Sequence, residues 1–382
     1  VLTALAIDGY RSIRRLRLGL DRVTVVTGPN GSGKSSLYRA LRLLAAAGRD
    51  GAVTALAREG GLPSTLWAGP EVLGREVAAG RAPAQGLVRS GPVALRMGFA
   101  SDDFGYAVDL GLPLPDKTSM FGRDPEIKAE AVWHGATLRP ATALAERRGP
   151  QVRLRESGAW EPLDRRLASW ESMLDEVDSP EVRAVRAVLR GWRFYDHVRT
   201  DSAAPARSAE IGTRTPVLSA DARDLASAIQ TIRELGVAER LDAAIDEAFP
   251  GSRVTVTESE GRFELAISQP DLLRPLRAAE LSDGTLRYLV WVAALLSPRP
   301  AGLVVLNEPE TSLHPDLLPP LARLVVDASE HSQVIVVSHA EPIVGALRRA
   351  GAAVAELEKT TGETKVVGQG SLDEPPWQWP SR

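Results

Sequence analysis

The sequence predicts an α/β fold, a mixed sheet with flanking helices into which a mostly β and irregular lobe is inserted. Three observations predict it. Val23–Thr27 reads as a short buried strand running into the glycine-rich turn Gly28-Pro29-Asn30-Gly31-Ser32-Gly33, and Ser36–Leu44 follows as a helical run. Late in the chain, Leu303–Leu306 and Val334–Val337 are short aliphatic runs with helical patterns between them, the form of parallel strands buried on both faces. Between residues 49 and 220, Gly and Pro recur and short alternating segments replace helical periodicity.

In chain order, Leu2–Ile7 and Ile13–Leu20 alternate as strands ahead of the glycine-rich turn. These residues, 1–59, form the first half of the core. Residues 60–220 are the inserted lobe, with strands at Tyr106–Leu110, Ala129–Trp133 and Gln151–Arg155 and a helix at Pro180–Leu189. Residues 221–370 form the second half. There a helical pattern runs over Asp224–Phe249 with a break near Gly236, and a hairpin joins Val254–Thr257 to Phe263–Ser268. Residues 371–382 carry Pro375, Pro376 and Pro380 with Trp377 and Trp379, and read as an extended tail.

A chain of 382 residues has room for a large core and two lobes. Charged residues are 25% and hydrophobic residues 44%, ordinary for a soluble protein, and no apolar run reaches the ~20 residues that span a bilayer. No signal peptide or membrane segment is expected. Zero cysteine excludes disulfides and thiolate chemistry and fits a cytoplasmic location. The net charge of −3 makes the whole surface no magnet for nucleic acid. Local basic patches remain open, at Arg11, Arg14, Arg15 and Arg17 and at Arg147, Arg148, Arg153, Arg155, Arg165 and Arg166, although such clusters are usually solvated faces.

The turn completed by Lys34 and Ser35 has the spacing of a P-loop, in the strand-to-helix setting that a P-loop needs. Gly31 and Gly33 let backbone N–H groups turn onto phosphate oxygens, and the helix that follows adds the positive end of its dipole. Lys34 then reaches the β and γ phosphates of ATP, and the Ser35 hydroxyl takes one position on Mg²⁺. The nucleotide contacts expected are Gly28, Asn30, Gly31, Ser32, Gly33, Lys34, Ser35 and Ser36.

Leu303-Val304-Val305-Leu306-Asn307-Glu308 has the form of a Walker B strand. Glu308 is the candidate general base or water-positioning carboxylate, since in-line attack on a γ-phosphate needs an oriented water and little else from the protein. Asn307 stands where many P-loop ATPases place a metal-orienting Asp; an amide orients a metal-bound water without adding charge. Leu281-Ser282-Asp283-Gly284-Thr285 opens a helical run, Leu286–Leu296, and resembles the signature motif of ABC-type ATPases; read alone it is an ordinary helix N-cap. Pro309-Glu310-Thr311-Ser312-Leu313-His314-Pro315 resembles the D-loop of those proteins. Val334–Val337 ends in Ser338-His339, and His339 resembles the switch histidine that senses γ-phosphate, whereas His134, His197 and His331 have no comparable setting. No histidine–carboxylate group has zinc-ligand spacing.

Together these motifs resemble the ABC-type ATPase heads of the RecF and SMC-like group, in particular the RecF-like predicted ATPases of bacteria, over residues 1–60 and about 220–345. The string from Leu306 to Pro315 is familiar there, so Asn307 reads as native. Gly9-Tyr10-Arg11-Ser12-Ile13 looks like a segment near the start of those heads whose basic residue lies near the nucleotide, which implies that role for Arg11. The resemblance implies an ATP-dependent homodimer with two nucleotides sandwiched between heads. Each site would combine the P-loop, Glu308 and His339 of one subunit with Ser282 and Gly284 of the other. It also implies an output on DNA, in repair, recombination or defence against foreign DNA, and a separate effector protein, since too few residues follow His339 to hold a Toprim nuclease. The long coiled-coil arms of SMC proteins are absent, and no Q-loop glutamine is evident beyond Gln151, whose plain reading is an exposed polar residue. Two rivals stand beside an ATPase: a slowly hydrolysing nucleotide-gated sensor or scaffold, which Asn307 favours, and a P-loop phosphotransferase, which the signature motif disfavours.

Overall fold

The computed structural model describes residues 1–69, 94–115, 117–196, 198–235 and 238–382. The helix break expected near Gly236, and His197, lie outside them. Two compact units divide the chain. One comprises Val1–Asp21, Gly28–Trp192 and Ala355–Arg382; the other comprises Arg22–Thr27 and Arg193–Val354.

The first unit is built on an eight-stranded antiparallel sheet. Its strands are β1 (Leu2–Tyr10), β2 (Ile13–Gly19), β4 (Leu95–Ser101), β5 (Phe104–Gly111), β6 (Glu126–His134), β7 (Ala143–Arg148), β8 (Gln151–Glu156) and β9 (Ala159–Pro162), in the order β2-β1-β4-β5-β6-β7-β8-β9. β4 pairs with β1, so strands from the 60–220 segment continue a sheet that residues 2–19 begin. Alternation reports which residues form strands and carries no information on that pairing. The helices Lys34–Ala47 and Pro180–Gly191 pack together and against this sheet. Ser179 caps the second of them by accepting from the Val182 N–H, Pro180 occupies its first turn, and Val182, Val185 and Leu189 form its buried stripe.

Alanines at 4, 100, 107, 131 and 143 share a buried cluster with Trp133 and Leu138, leaving room for indole rings. Trp377 of the tail meets Trp133 edge-on at 5.6 Å, and Trp379 meets Trp377 at 5.3 Å. The tail has no regular secondary structure. Its Trp379 Nε1 donates to Asp8 at 2.7 Å and its Arg382 guanidinium to the fully buried Asp109 at 2.6 Å.

A buried ion pair corrects one expectation. Arg147, grouped by sequence with a basic patch, has no exposed side-chain surface and pairs with the equally buried Glu130 at 3.2 Å. Its other donors reach the carbonyls of Gly149, Ala168 and Glu171. The neighbouring arginines are also compensated: Arg148 and Arg153 bind Glu146, and Arg165 binds Glu171 and Glu176. Gln151 is exposed, as its plain reading holds.

The second unit holds four parallel strands, β10 (Arg193–Tyr195), β15 (Leu303–Asn307), β16 (Gln333–Val337) and β3 (Val23–Thr27), in the order β10-β15-β16-β3. A smaller antiparallel set, β11 (Glu210–Ile211), β12 (Arg253–Ser259), β13 (Arg262–Ser268) and β14 (Leu276–Arg277), contains the expected hairpin. Leu225–Glu234 and Ala238–Ala248 pack on the antiparallel hairpin, Leu318–Ala328 on β16 and Glu341–Arg349 on β3, while Asp283–Leu295 packs on the first three of these helices. Every residue from Leu286 to Leu295 is buried, so the Asp283–Leu295 helix lacks an outward polar face. The late hairpin of β17 (Ala353–Thr360) and β18 (Glu363–Val366) belongs to the first unit from Ala355 onward. Among the described residues no helix is long and apolar enough to cross a membrane.

Candidate nucleotide-binding site

The loop after β3 is shaped for an anion. Gly33 sits at φ 111° just before the Lys34–Ala47 helix, whose N-terminus has no side-chain cap, so the first-turn N–H groups are left to a ligand. A methyl group on Gly33 would lie 2.0 Å from Thr364 Oγ1, and one on Gly28 2.2 Å from the Leu357 carbonyl oxygen. Both positions therefore exclude a side chain on space as well as on φ. Ser32 Oγ is buried and has no hydrogen-bond partner among the described residues. Lys34 Nζ donates to the Gly28 and Pro29 carbonyls at 2.5 and 3.1 Å, holding the loop closed on itself. Ser35 is exposed and Ser36 is partly exposed. An uncapped helix start, an unbonded buried hydroxyl and an ammonium on loop carbonyls fit a polyphosphate.

Thr364, from the hairpin late in the chain, escaped the sequence reading. Its hydroxyl donates to the Ser32 carbonyl at 2.9 Å and lies 2.8 Å from Ser12 Oγ, and its N–H donates to the Ser12 carbonyl at 2.8 Å. Nothing in the local sequence marks a threonine in a hairpin as a brace for a loop so far away. Gly33→Ala is expected to displace Thr364 and lower nucleotide affinity by at least about tenfold, which equals ~1.4 kcal/mol; fluorescent-nucleotide titration checks it.

Arg11 lies in the same unit in a left-handed conformation, φ 48°. Its N–H donates to the Thr65 carbonyl at 2.7 Å, and its guanidinium bonds Glu59 Oε2 at 2.9 Å and Tyr10 Oη at 3.2 Å. Burial, reinforced by the hydrogen bond to Glu59, pushes the Tyr10 phenol up, so it stays a donor. With Arg39, Arg42, Arg58 and Glu59, Arg11 lines a cavity of about 420 Å³. Helical periodicity shows that Arg39 and Arg42 share a face; the pairing with Arg11 and Arg58 needed the fold.

In the second unit, parallel register aligns three strand ends. Asn307 lies beside Val337, and Val337 beside Val26, two residues before Gly28 in the chain. Asn307 ends β15 half-buried, and Glu308 follows exposed at φ 48°, its N–H held by the Val337 carbonyl at 2.8 Å. A non-glycine residue in this region is strained, as functional residues often are. Glu310 reaches Ser338 and His339 with the same carboxylate oxygen. Pro309 is tied down by Trp291 Nε1 at 3.0 Å from its carbonyl.

Ser282 caps its own helix, accepting from the Thr285 N–H at 3.1 Å. A methyl group on Gly284 would lie 2.8 Å from the Ser312 carbonyl oxygen, so the motif at residues 281–285 packs directly on the 309–315 loop. Arg207, unremarked in the sequence, is buried beneath that motif and donates to the carbonyls of Ala278 and Leu281 and to Asp283 Oδ1.

No curated protein matches the chain. Among solved structures, an SMC head bound to the C-terminal winged-helix domain of ScpA aligns with TM-score 0.51 at 13% identity, over 97% of this chain and 98% of that one. The SMC head domain from Thermotoga maritima aligns at 0.49 and 15% identity, covering 97% and 99% of the two chains. An SMC head with an extended coiled coil, bound to the C-terminal domain of ScpA derived from Pyrococcus furiosus, aligns at 0.49 and 12%, covering 96% and 95%. The first of these likenesses shows the fold, that of an SMC head. The profile of the family described as "AAA domain, putative AbiEii toxin, Type IV TA system" matches residues 23–343, from β3 to beyond His339, and the chain belongs to that family.

Proposed function

We propose that the protein binds and hydrolyses ATP, and that ATP joins two copies through their heads. The observation that carries this reading is the alignment of three parallel strand ends, from which the P-loop, Glu308 and Ser338-His339 leave the sheet. Ligands of open parallel sheets bind at such carboxyl ends. In the proposed mechanism Lys34 exchanges its loop carbonyls for β and γ phosphate oxygens, and the uncapped helix start receives a phosphate. Ser35 and Asn307 would hold Mg²⁺, which would offset the charge of the phosphates when bound. Glu308 orients the attacking water, and His339 senses the γ-phosphate. Arg11 contacts the nucleotide from its cavity, with Gly28, Asn30, Gly31 and Gly33 supplying backbone contacts. Ser282 and Gly284 serve the nucleotide of the partner copy, which requires the Ser282 hydroxyl to share its capping role with a phosphate.

Lys34→Ala tests the reading. Wild type is expected to release phosphate from ATP in the presence of Mg²⁺, and the variant to lose nucleotide binding by about 10²-fold or more, the scale of a charge-assisted contact worth roughly 3 kcal/mol. Equal binding by both proteins would remove the P-loop assignment. DNA as effector rests on the resemblance, and the ion-paired arginines add little to it. The same assay run with duplex DNA tests it: stimulation supports an output on DNA, and an unchanged rate removes duplex DNA as an activator of turnover. Tight ATP-dependent dimerisation without turnover would favour the sensor reading.

A further inference from the structure

We infer that Glu310 is a positioning residue for His339, fixing the imidazole with Nδ1 turned inward and Nε2 left for phosphate or water. Glu310 Oε1 accepts from Ser338 Oγ at 2.7 Å and from the His339 backbone N–H at 3.2 Å, and it lies 3.3 Å from His339 Nδ1. The carboxylate is 8% exposed, while the imidazole is 50% exposed. Ser338 Oγ in turn accepts from the Ala340 N–H at 3.1 Å, so the chain on both sides of His339 is pinned.

A hydroxyl or amide could cap this turn, so the cap alone does not call for a buried carboxylate. Glu310 Oε2 is buried without a hydrogen-bond partner among the described residues, and a half-satisfied buried carboxylate is costly. His339 is the one ionisable partner that Glu310 has among the described residues. A carboxylate beside Nδ1 selects the tautomer protonated there. A neutral ring held this way presents Nε2 as an acceptor, and a protonated ring presents Nε2–H as a donor; in both states the reactive nitrogen faces outward. Glu310 lies two residues beyond Glu308, so the carboxylate proposed to orient water and the one that orients the histidine leave β15 on one short turn. The part of the inference that concerns phosphate rests on the ATPase reading; the pairing itself does not.

The test uses the full chain with isotopically labelled histidine, and His339→Ala assigns the His339 signal. At alkaline pH, wild type is expected to show His339 as the Nδ1–H tautomer. Glu310→Ala should convert it to the Nε2–H form or an average, while Glu310→Gln, whose amide oxygen still accepts, should keep it. An unchanged tautomer in Glu310→Ala, or an Nε2–H tautomer in wild type, overturns the pairing whether or not ATP is hydrolysed. In phosphate release, Glu310→Ala should lower kcat on the order of 10²-fold with little change in KM, the scale set by loss of one preorganised contact. Glu310→Gln should recover most of that loss, and Glu310→Ala with His339→Ala should be no slower than His339→Ala alone. Additive losses in the double variant would show that Glu310 does not act through His339. A wild type that hydrolyses no ATP would remove the ATPase reading and leave the tautomer result to decide the pairing.

Discussion

Glu308→Gln is expected to lower phosphate release by about 10³-fold, within the range lost when a positioned proton acceptor is removed, and to trap a species of twice the 41.0 kDa chain mass when ATP and Mg²⁺ are present. The amide keeps the size and strained backbone of Glu308 but cannot polarise the attacking water, so under the proposed function the ATP between the two heads should persist. Light scattering with and without ATP reads the mass, and single-turnover phosphate release reads the chemistry. A trapped dimer supports the two-headed site and the trans role of Ser282 and Gly284. A variant that loses turnover yet stays monomeric at all nucleotide concentrations would sink that role and move the reading toward phosphotransfer within one chain.

The second large effect is on stability. Arg147→Met leaves Glu130 charged in a fully buried site where it accepts from Tyr106 Oη at 2.7 Å, Ser172 Oγ at 2.5 Å and the Met173 N–H at 2.9 Å. Breaking one side of such a pair costs about 3–5 kcal/mol, and the carbonyls of Gly149, Ala168 and Glu171 lose their donor as well. Arg165→Met, which removes a half-exposed partner of Glu171 and Glu176, should cost no more than ~1 kcal/mol. Urea midpoints of the two variants compare the sites directly. Equal shifts would mean that the buried network contributes no more than a surface pair. Replacing Arg147 therefore cannot test a basic surface, because any loss of binding would follow from loss of fold.

Where hydrophobic pattern and local chemistry act together, the sequence was sufficient. β3 ends at Thr27 as read, and β15 and β16 were read to within one residue. Asn307 and Glu308 lie at one strand end and His339 just past the next. Pairing between distant segments was not legible. β4 joins β1 through the register of Leu5 with Phe99, and nothing in either strand names the other. Charge density misled at Arg147 because a run of arginines in a strand alternates between faces, and one face of β7 is core. Thr364 and Arg207 were invisible for a related reason: each acts through its hydroxyl or guanidinium on distant backbone carbonyls, and a carbonyl has no residue type to read.

The brace from Thr364 to the Ser32 carbonyl joins residues 332 positions apart. On a ribosome adding roughly 5–20 residues per second, the loop is made tens of seconds before its brace emerges. Throughout that interval the nascent chain carries the full glycine-rich motif without the contact that sets its shape. The loop therefore waits for its brace until residue 364 has been added.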